Sequence, residues 1–213
     1  MSGVFITFEG IEGSGKSTQA SKLYDVLTER GLTVDLTREP GGTVIAESIR
    51  EILLDPAHDQ MSNTTELLLY QAARAQHVAE RIHPALERGE VVICDRFFDS
   101  TTAYQGAGRG LATDELDALH TLTTSGLSPD RTYLFDLPVE EGMFRIAGTR
   151  QTDRIERESV AFHERVRQGF LALARANAER ILVIDAIRDE DTIATEVVAD
   201  IDRILDAHAS GTA

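Results

Sequence analysis

The stretch of the chain with the clearest chemical signature is residues 10–17, Gly-Ile-Glu-Gly-Ser-Gly-Lys-Ser. It fits the pattern G-x-x-x-x-G-K-[ST], whose glycines let backbone N–H groups surround a phosphate at the start of a helix. The apolar run 4–8 precedes it and a helical stretch follows, which distinguishes the motif from an incidental glycine-rich turn. We expect Lys16 to reach the β- and γ-phosphates of a nucleoside triphosphate and Ser17 to offer its hydroxyl oxygen to Mg²⁺. The residues assigned to ATP are Gly10, Ile11, Glu12, Gly13, Ser14, Gly15, Lys16, Ser17 and Thr18.

Charged residues also follow two other strand-like runs. Asp95 and Arg96 come directly after the apolar run 91–94. An aspartate there can hold Mg²⁺ directly or through water, and Arg96 offers a planar fork for a phosphate. Arg38 and Glu39 lie in a Pro- and Gly-rich turn, which taken alone reads more simply as two solvated charges. Because ligands bind beyond the carboxyl ends of parallel strands, we expect these residues to face the phosphate loop.

The alternation of apolar runs and helical stretches predicts the elements that position these side chains. Strands are expected at 4–8, 32–36, 91–94, 132–135 and 181–184. Helices are expected at about 16–30, 43–54, 62–88, 113–125, 139–148, 155–178 and 189–207. This order predicts an α/β fold with a five-stranded parallel sheet covered by helices on both faces, as in P-loop NTPases. The chain, 1–213, is expected to form a single domain with a mobile lid at about 145–157, rich in arginine.

Composition excludes several classes of protein. The chain has 213 residues and a net charge of −15, so its surface should repel the phosphates of nucleic acids. No apolar run approaches the 18 or so residues that a membrane span needs. The one cysteine, Cys94, excludes an intramolecular disulfide and favours a reducing compartment. We therefore expect a cytoplasmic protein with neither a nucleic acid nor a membrane as partner.

The phosphate loop alone leaves the acceptor of the phosphoryl group open. A GTPase switch would need N-K-x-D and D-x-x-G motifs, and the chain has neither. A nucleotide-dependent switch that binds a protein partner remains the alternative from another class. Among kinases, the alternatives are acceptors such as thymidine, UMP or AMP. A purely structural role does not explain so many charged groups at strand ends.

Several motifs in a fixed order resemble those of bacterial thymidylate kinases. They are Phe-Glu-Gly at 8–10 with the phosphate loop, Thr-Arg-Glu-Pro-Gly-Gly at 37–42, Asp95-Arg96, Ala-Tyr-Gln-Gly at 103–106 and Asp-Arg-Ile-Glu at 153–156. The combination is far more specific than the phosphate loop by itself. The resemblance implies a nucleoside monophosphate kinase-like fold and MgATP-dependent conversion of dTMP to dTDP, with ADP as the second product, in dTTP synthesis. It also implies Mg²⁺ as the cofactor and a homodimer, to which helices 62–88 and 113–126 could contribute.

The resemblance also assigns roles to residues of this chain. It places Arg38, Glu39, Arg50 and Arg96 at the acceptor phosphate. It places Arg74 at a thymine carbonyl and Tyr70 on the thymine ring, where the family usually has phenylalanine. Thr101 and Gln105 match positions near the thymine edge, Tyr104 approaches the 2′ carbon, and Glu9 lies near the 3′-hydroxyl and the metal. The expected substrate-binding residues are Glu9, Arg38, Glu39, Pro40, Arg50, Tyr70, Arg74, Arg96, Ser100, Thr101, Tyr104 and Gln105.

The lid completes the expected catalytic set. Some thymidylate kinases carry an arginine inside the phosphate loop, where this chain has Glu12, which cannot stabilise a phosphoryl group in transfer. The chain resembles the subclass with an acidic loop residue and arginines in the lid. Arg154, in Asp-Arg-Ile-Glu, is the better match for the lid arginine, and Arg150 is the alternative. The expected catalytic residues are Lys16, Asp95, Arg96, Arg150 and Arg154, and the expected metal ligands are Ser17 and Asp95.

Overall fold

A computed structural model describes residues 3–148 and 152–211 and contains a five-stranded parallel sheet. The strands are β1 (Val4–Gly10), β2 (Val34–Arg38), β3 (Val91–Asp95), β4 (Arg131–Asp136) and β5 (Ile181–Asp185), in the order β2-β3-β1-β4-β5. The central strand β1 is buried along its whole length, as expected for a strand covered on both faces. The predicted parallel α/β sheet is confirmed.

Helices connect these strands. Within the described residues they are α1 (Lys16–Glu29), α2 (Val44–Leu54), α3 (Asn63–His77), α4 (His83–Glu87), α5 (Phe98–Thr101), α6 (Thr113–Thr124), α7 (Val139–Ile146), α8 (Val160–Ala176) and α9 (Glu190–Ala209). A π-helical turn, Val78–Ile82, joins α3 to α4, and a second π-helical segment, Thr102–Gly108, continues α5. A short 3₁₀ turn, Pro56–His58, follows α2. None of these described helices is long and apolar enough to cross a bilayer.

The two faces of the sheet are covered by different helices. Side chains alternate along β1, so neighbouring residues enter different clusters. Phe5 packs with Val92 and Ile82, whereas Ile6 belongs to the larger cluster that contains Leu23 of α1. The prediction of helices on both faces is therefore confirmed.

Helix boundaries differ from the prediction at two places. The predicted helix 62–88 is divided into α3, a π turn and α4. The chain stays helical through Pro84, which lacks an N–H, because the wider π turn ends two residues before it. The helix predicted to begin at Ile155 begins instead at Val160, capped by the Ser159 hydroxyl, which accepts from the Phe162 N–H at 3.2 Å. The preceding residues form turns.

The helical stretch 98–108 was not among the predicted elements. Its glycines argue against a helix, yet they serve a packing role against α8. A Cβ atom at Gly108 would lie 2.7 Å from the ring of Phe162, and one at Gly169 of α8 would lie 2.6 Å from Ala107. Close approach of the two helices explains these small residues, and it places Ser100, Thr101 and Gln105 over the end of the sheet.

Candidate active site

The phosphate loop links the end of β1 to the start of α1. Gly13 and Gly15 have φ values of 74° and 83°, in the left-handed region that favours glycine. A Cβ at Gly13 would lie 2.4 Å from the carbonyl oxygen of Gly142, so α7 approaches the loop closely there. Lys16 is buried at the first position of α1, and its Nζ donates to the Ile11 carbonyl at 3.4 Å. Burial, together with the nearby Arg96 charge, lowers the pKa of Lys16.

Ser17 and Asp95 come together because β1 and β3 are neighbours in the sheet. Phe8 is paired with Asp95, so β3 ends beside the loop that follows β1. The Ser17 hydroxyl donates to Asp95 Oδ2. Asp95 Oδ1 is buried and has no hydrogen-bond partner within the described residues. A hydroxyl and a carboxylate oxygen are ligands that fit a hard divalent cation such as Mg²⁺.

Arg96 is held by the backbone at the end of β1 and by side chains around it. Its φ of 73° is unusual for a residue other than glycine, and its N–H donates to the Phe8 carbonyl at 2.9 Å. Nη1 donates to the Gly10 carbonyl at 2.9 Å and to the Ser100 hydroxyl at 3.1 Å. These contacts fix the guanidinium between the phosphate loop and α5.

Glu12 completes a cluster with Arg96 and Tyr104. Its Oε1 accepts from Arg96 Nη2 at 2.7 Å, and both of its oxygens lie 2.8 Å from the donating hydroxyl of Tyr104. Burial favours the protonated form, but the charges of Arg96 and Lys16 outweigh it and lower the pKa of Glu12. Glu12 is therefore a carboxylate that orients both neighbouring side chains.

The far end of the site is built around a buried ion pair. Arg74 of α3 is 2% exposed, and its Nε donates to Glu39 Oε2 at 2.7 Å. His77 Nδ1 lies 3.0 Å from the other oxygen of Glu39, and His77 Nε2 lies 2.7 Å from the Thr37 hydroxyl. The Arg74 guanidinium also lies 5.4 Å from the ring centre of Phe97. Glu39 thus positions Arg74. The sequence did not reveal this role because Arg74 and His77 lie 35 and 38 residues from Glu39.

Two further arginines, Arg38 and Arg50, lie beside this pair. Arg38 Nη2 donates to both oxygens of Glu47, at 3.0 and 2.9 Å. Arg50 Nη1 donates to the Pro40 carbonyl at 2.7 Å. Burial and the Arg38 charge lower the pKa of Arg50, which means that an added anion here would be favourable.

One cavity of about 250 Å³ brings these groups together. The predicted residues that line it are Glu12, Gly13, Lys16, Ser17, Arg38, Glu39, Pro40, Arg50, Tyr70, Arg74, Asp95, Arg96, Ser100, Thr101, Tyr104 and Gln105. Lining residues that were not predicted are Leu54, Phe97, Ile146, Asp153, Ile155 and Glu156. Thr101 Oγ1 is buried and has no partner within the described part of the chain. Among the other loop residues, Gly10, Ile11 and Ser14 are buried, whereas Gly15 and Thr18 are exposed.

Glu9 lies behind the cavity and does not line it, and its place beside a sugar and a metal stays a prediction. It is fully buried and accepts from the N–H of Phe97 at 2.7 Å and from the N–H and hydroxyl of Ser100 at 3.3 and 2.5 Å. Burial, with the nearby Asp99 charge, raises the pKa of Glu9 to about 8. Glu9 therefore anchors the start of α5 from below.

The lid arginines are distributed differently from the prediction. Arg154 is 7% exposed, donates to Glu66 Oε2 at 2.6 Å and to the Leu53 carbonyl at 2.8 Å, and does not line the cavity. The structure holds the Arg154 guanidinium outside the cavity, and its role above a triphosphate stays a prediction. Arg145, in contrast, donates to the carbonyls of Gly13 and Ala186 at 3.4 and 3.2 Å. Arg150 lies outside the described residues.

Comparison with known proteins decides the family. The pattern that defines the family described as Thymidylate kinase matches residues 8–197 of this chain. The chain belongs to the thymidylate kinase family. It is 51% identical over 209 residues to the thymidylate kinase of Desulforapulum autotrophicum, covering 95% of this chain and 92% of that protein. It is 54% identical over 201 residues to the thymidylate kinase of Geobacter sulfurreducens, covering 92% and 94%.

A solved structure agrees with the sequence relatives. The crystal structure of thymidylate kinase from Ehrlichia chaffeensis superposes with a TM-score of 0.77 at 36% identity, covering 94% of this chain and 99% of that one. These findings confirm the predicted class of enzyme, a nucleotide-binding kinase of dTTP biosynthesis, EC 2.7.4.9. They also confirm the predicted thymidylate kinase fold.

Proposed function

We propose that this thymidylate kinase transfers the γ-phosphoryl group of MgATP to dTMP, giving dTDP and ADP, through the residues that line the cavity. One observation carries the proposal. The cavity has a donor half, lined by Lys16 and Ser17 of the phosphate loop, and an acceptor half, lined by Arg74 and Thr101. Arg96 donates hydrogen bonds to Gly10 on the donor side and to Ser100 on the acceptor side. A donor phosphate on the loop and an acceptor beside Arg74 would therefore meet at Arg96.

Catalysis requires positioning and charge neutralisation more than proton transfer. The attacking oxygen belongs to a monophosphate and is already anionic, so no strong general base is needed. Lys16 and Arg96 would offset the charge that spreads over the transferred group. Asp95 and Ser17 would hold Mg²⁺, which supplies further neutralisation of the phosphates when bound. Their two oxygens suit Mg²⁺, which usually takes only one or two carboxylates and completes its shell with water and phosphate.

The acceptor half suits a thymine nucleotide. Arg74 is a buried donor that fits a base carbonyl, and the unpartnered Thr101 hydroxyl can donate or accept beside it. Tyr70 lies four residues before Arg74 on α3 and supplies a ring for stacking. Gln105 faces the same cavity, and Tyr104 would approach the sugar. Arg38 and Arg50, with Arg96, would bind the monophosphate.

We further infer that a lid arginine other than Arg154 serves the donor phosphates, in keeping with the subclass that has an acidic loop residue. Arg145 is supported by its contact with the Gly13 carbonyl inside the phosphate loop. Arg154 is anchored to Glu66 in the interior. The catalytic role of Arg150, the alternative lid arginine, stays a prediction. If Arg145 serves the ATP, Arg145→Met should lower kcat and raise the KM for ATP, with little effect on the KM for dTMP.

We also propose the homodimer that the resemblance implies. Helices α3 and α6 pack against each other and carry exposed leucines, Leu68 and Leu122, at 52% and 74% exposure. Exposed leucines on adjacent helices suit an interface with a second copy. Light scattering should give twice the chain mass of 23.4 kDa, and Leu122→Arg should shift the mass toward the monomer. A wild-type monomer at micromolar concentration would contradict this proposal.

The experiment that tests the acceptor measures ADP release from MgATP with dTMP, thymidine, dUMP, UMP and AMP offered separately. Strong stimulation by dTMP supports the proposal. Stimulation by another acceptor alone would keep the kinase chemistry and overturn the assignment of the thymine pocket. A folded protein that binds ATP but responds to none of them would favour a nucleotide-dependent switch.

A further inference from the structure

Glu66 is a buried carboxylate on α3 that lies outside the cavity and has no part in the mechanism above. It is 1% exposed. Gln105 Nε2 donates to it at 2.8 Å, Arg154 Nη1 at 2.6 Å, and Arg109 at 3.1 and 3.0 Å through Nε and Nη2. Three side chains from two other segments thus converge on one group. A buried carboxylate whose two oxygens accept four hydrogen bonds is held rigidly.

The first segment carries Gln105, which lines the acceptor half of the cavity. A carboxylate only accepts hydrogen bonds, so Gln105 must turn its NH₂ group toward Glu66. Its carbonyl oxygen is thereby directed away from Glu66. Glu66 therefore determines how the Gln105 amide is oriented at the cavity wall.

The second segment carries Arg154, whose neighbours line the cavity and reach the phosphate loop. Asp153, Ile155 and Glu156 all line the main cavity. Glu156 also lines a small adjoining cavity with Ile11 and Glu12 of the phosphate loop. The Arg154 side chain donates to Glu66 and to the Leu53 carbonyl, and its N–H donates to the Leu54 carbonyl at 3.1 Å. The position of residues 153–156 beside the loop thus depends on the bond to Glu66.

We propose that Glu66 is a positioning residue that links the two substrates, because it holds Gln105 at the acceptor and residues 153–156 at the donor. This inference rests on the proposed function for the identity of the two ligands. Linkage is reciprocal: if the donor nucleotide tightens dTMP binding through Glu66, dTMP tightens donor binding by the same factor. A group that served only to stabilise the fold would leave that factor unchanged.

The test is calorimetric titration of dTMP into the full chain, with and without Mg²⁺ and the non-hydrolysable β,γ-imido analogue of ATP. For the wild type we expect the analogue to tighten dTMP binding roughly fivefold or more. Glu66→Gln keeps the shape of the side chain and removes its charge, and it should bring the factor close to one. Glu158→Gln is the matched control, since Glu158 accepts from Arg109 Nη1 at 2.5 Å but has no bond to Gln105 or Arg154. It should keep the wild-type factor.

Glu66→Gln removes the charge partner of the buried Arg154 guanidinium, although Arg109 keeps its ion pair with Glu158, and the substitution can unfold the chain. Circular dichroism melting checks this. Arg154→Gln is the second variant, because it retains the Glu66–Gln105 bond while cutting the bond to residues 153–156, and it should also reduce the factor. The inference is overturned if the wild type shows no linkage, if a folded Glu66→Gln or Arg154→Gln chain keeps it, or if Glu158→Gln loses it equally. A wild type that fails to phosphorylate dTMP would instead refute the proposed function.

Discussion

Arg96 and Glu12 form an ion pair, 2.7 Å between Nη2 and Oε1, that joins the strand β3 side of the site to the phosphate loop. Both side chains are largely enclosed, at 16% and 18% exposure. The pair explains how an acidic residue is accommodated in a loop that binds phosphate. Glu12 orients Arg96, and under the proposed function Arg96 and Lys16 supply the positive charge at the transferred group.

The first prediction concerns these two cations. Arg96→Ala and Lys16→Ala should each lower kcat by roughly a thousandfold or more, because each removes charge from the transition state of phosphoryl transfer. Steady-state kinetics measures the loss, and circular dichroism checks that the variants fold. Arg167→Ala is the control, since Arg167 pairs with Asp136 outside the cavity and should leave kcat unchanged. Turnover near the wild-type value in either site variant would refute its assigned role.

The second prediction concerns Mg²⁺. Asp95→Asn should raise the Mg²⁺ concentration needed for half-maximal activity by about tenfold or more, since it removes the charged ligand. Removal of Mg²⁺ with EDTA should abolish transfer in the wild type. Asp136→Asn is a matched control, because Asp136 also ends a strand but its carboxylate is held by Arg167. An Asp95→Asn enzyme with an unchanged Mg²⁺ titration would rule out Asp95 as a ligand.

The third prediction concerns Tyr70. No hydrogen bond of its hydroxyl is made to the described residues, and its ring lines the cavity. Tyr70→Phe should therefore keep the KM for dTMP within about threefold. Tyr70→Ala should raise it roughly 5- to 150-fold, since stacking on a base is worth about 1–3 kcal/mol. Equal KM values for the tyrosine and alanine enzymes would show that this ring does not stack on the base.

The fourth prediction concerns pH and Glu9. Its pKa of about 8 lies above the ordinary glutamate value, so the folded chain holds a proton that the unfolded chain releases. The stabilisation from Glu9 is fully present below about pH 4.5 and is lost as the pH rises to about 8. Relative to Glu9→Gln, the wild-type free energy of unfolding should fall across this window, by at most about 1.4 kcal/mol per pH unit.

Urea denaturation of both proteins at pH 5 to 9 measures this difference. Glu140→Gln is a suitable control, because Glu140 is exposed on α7. Parallel stability curves for the wild type and Glu9→Gln would show that Glu9 titrates as an ordinary glutamate.

Much of the donor half of the site could be predicted from the sequence. The phosphate loop and Asp95-Arg96 are short local motifs, and parallel strands bring their carboxyl ends to one edge. In the structure, the register that pairs Phe8 with Asp95 then places the Ser17 hydroxyl against the Asp95 carboxylate. Local pattern and topology were sufficient there.

The supporting residues could not be predicted in this way. Glu66, His77 and Glu9 act through partners 38 to 91 residues away, and a single buried acid or histidine carries no local signature of its partner. Arg154 was assigned to the triphosphate because Asp-Arg-Ile-Glu at 153–156 resembles the lid motif of thymidylate kinases. Its burial against Glu66, 88 residues earlier, is a tertiary contact that a local motif does not predict.

The most direct test of the central claim follows the label from γ-³²P-ATP when dTMP, dUMP, UMP, dCMP and AMP compete at equal concentration. We predict that wild-type enzyme with Mg²⁺ places the label chiefly in dTDP, and that Arg96→Ala leaves almost all of it in ATP. Label chiefly in another diphosphate would contradict the thymine pocket, and label chiefly in inorganic phosphate would contradict phosphoryl transfer between two bound nucleotides.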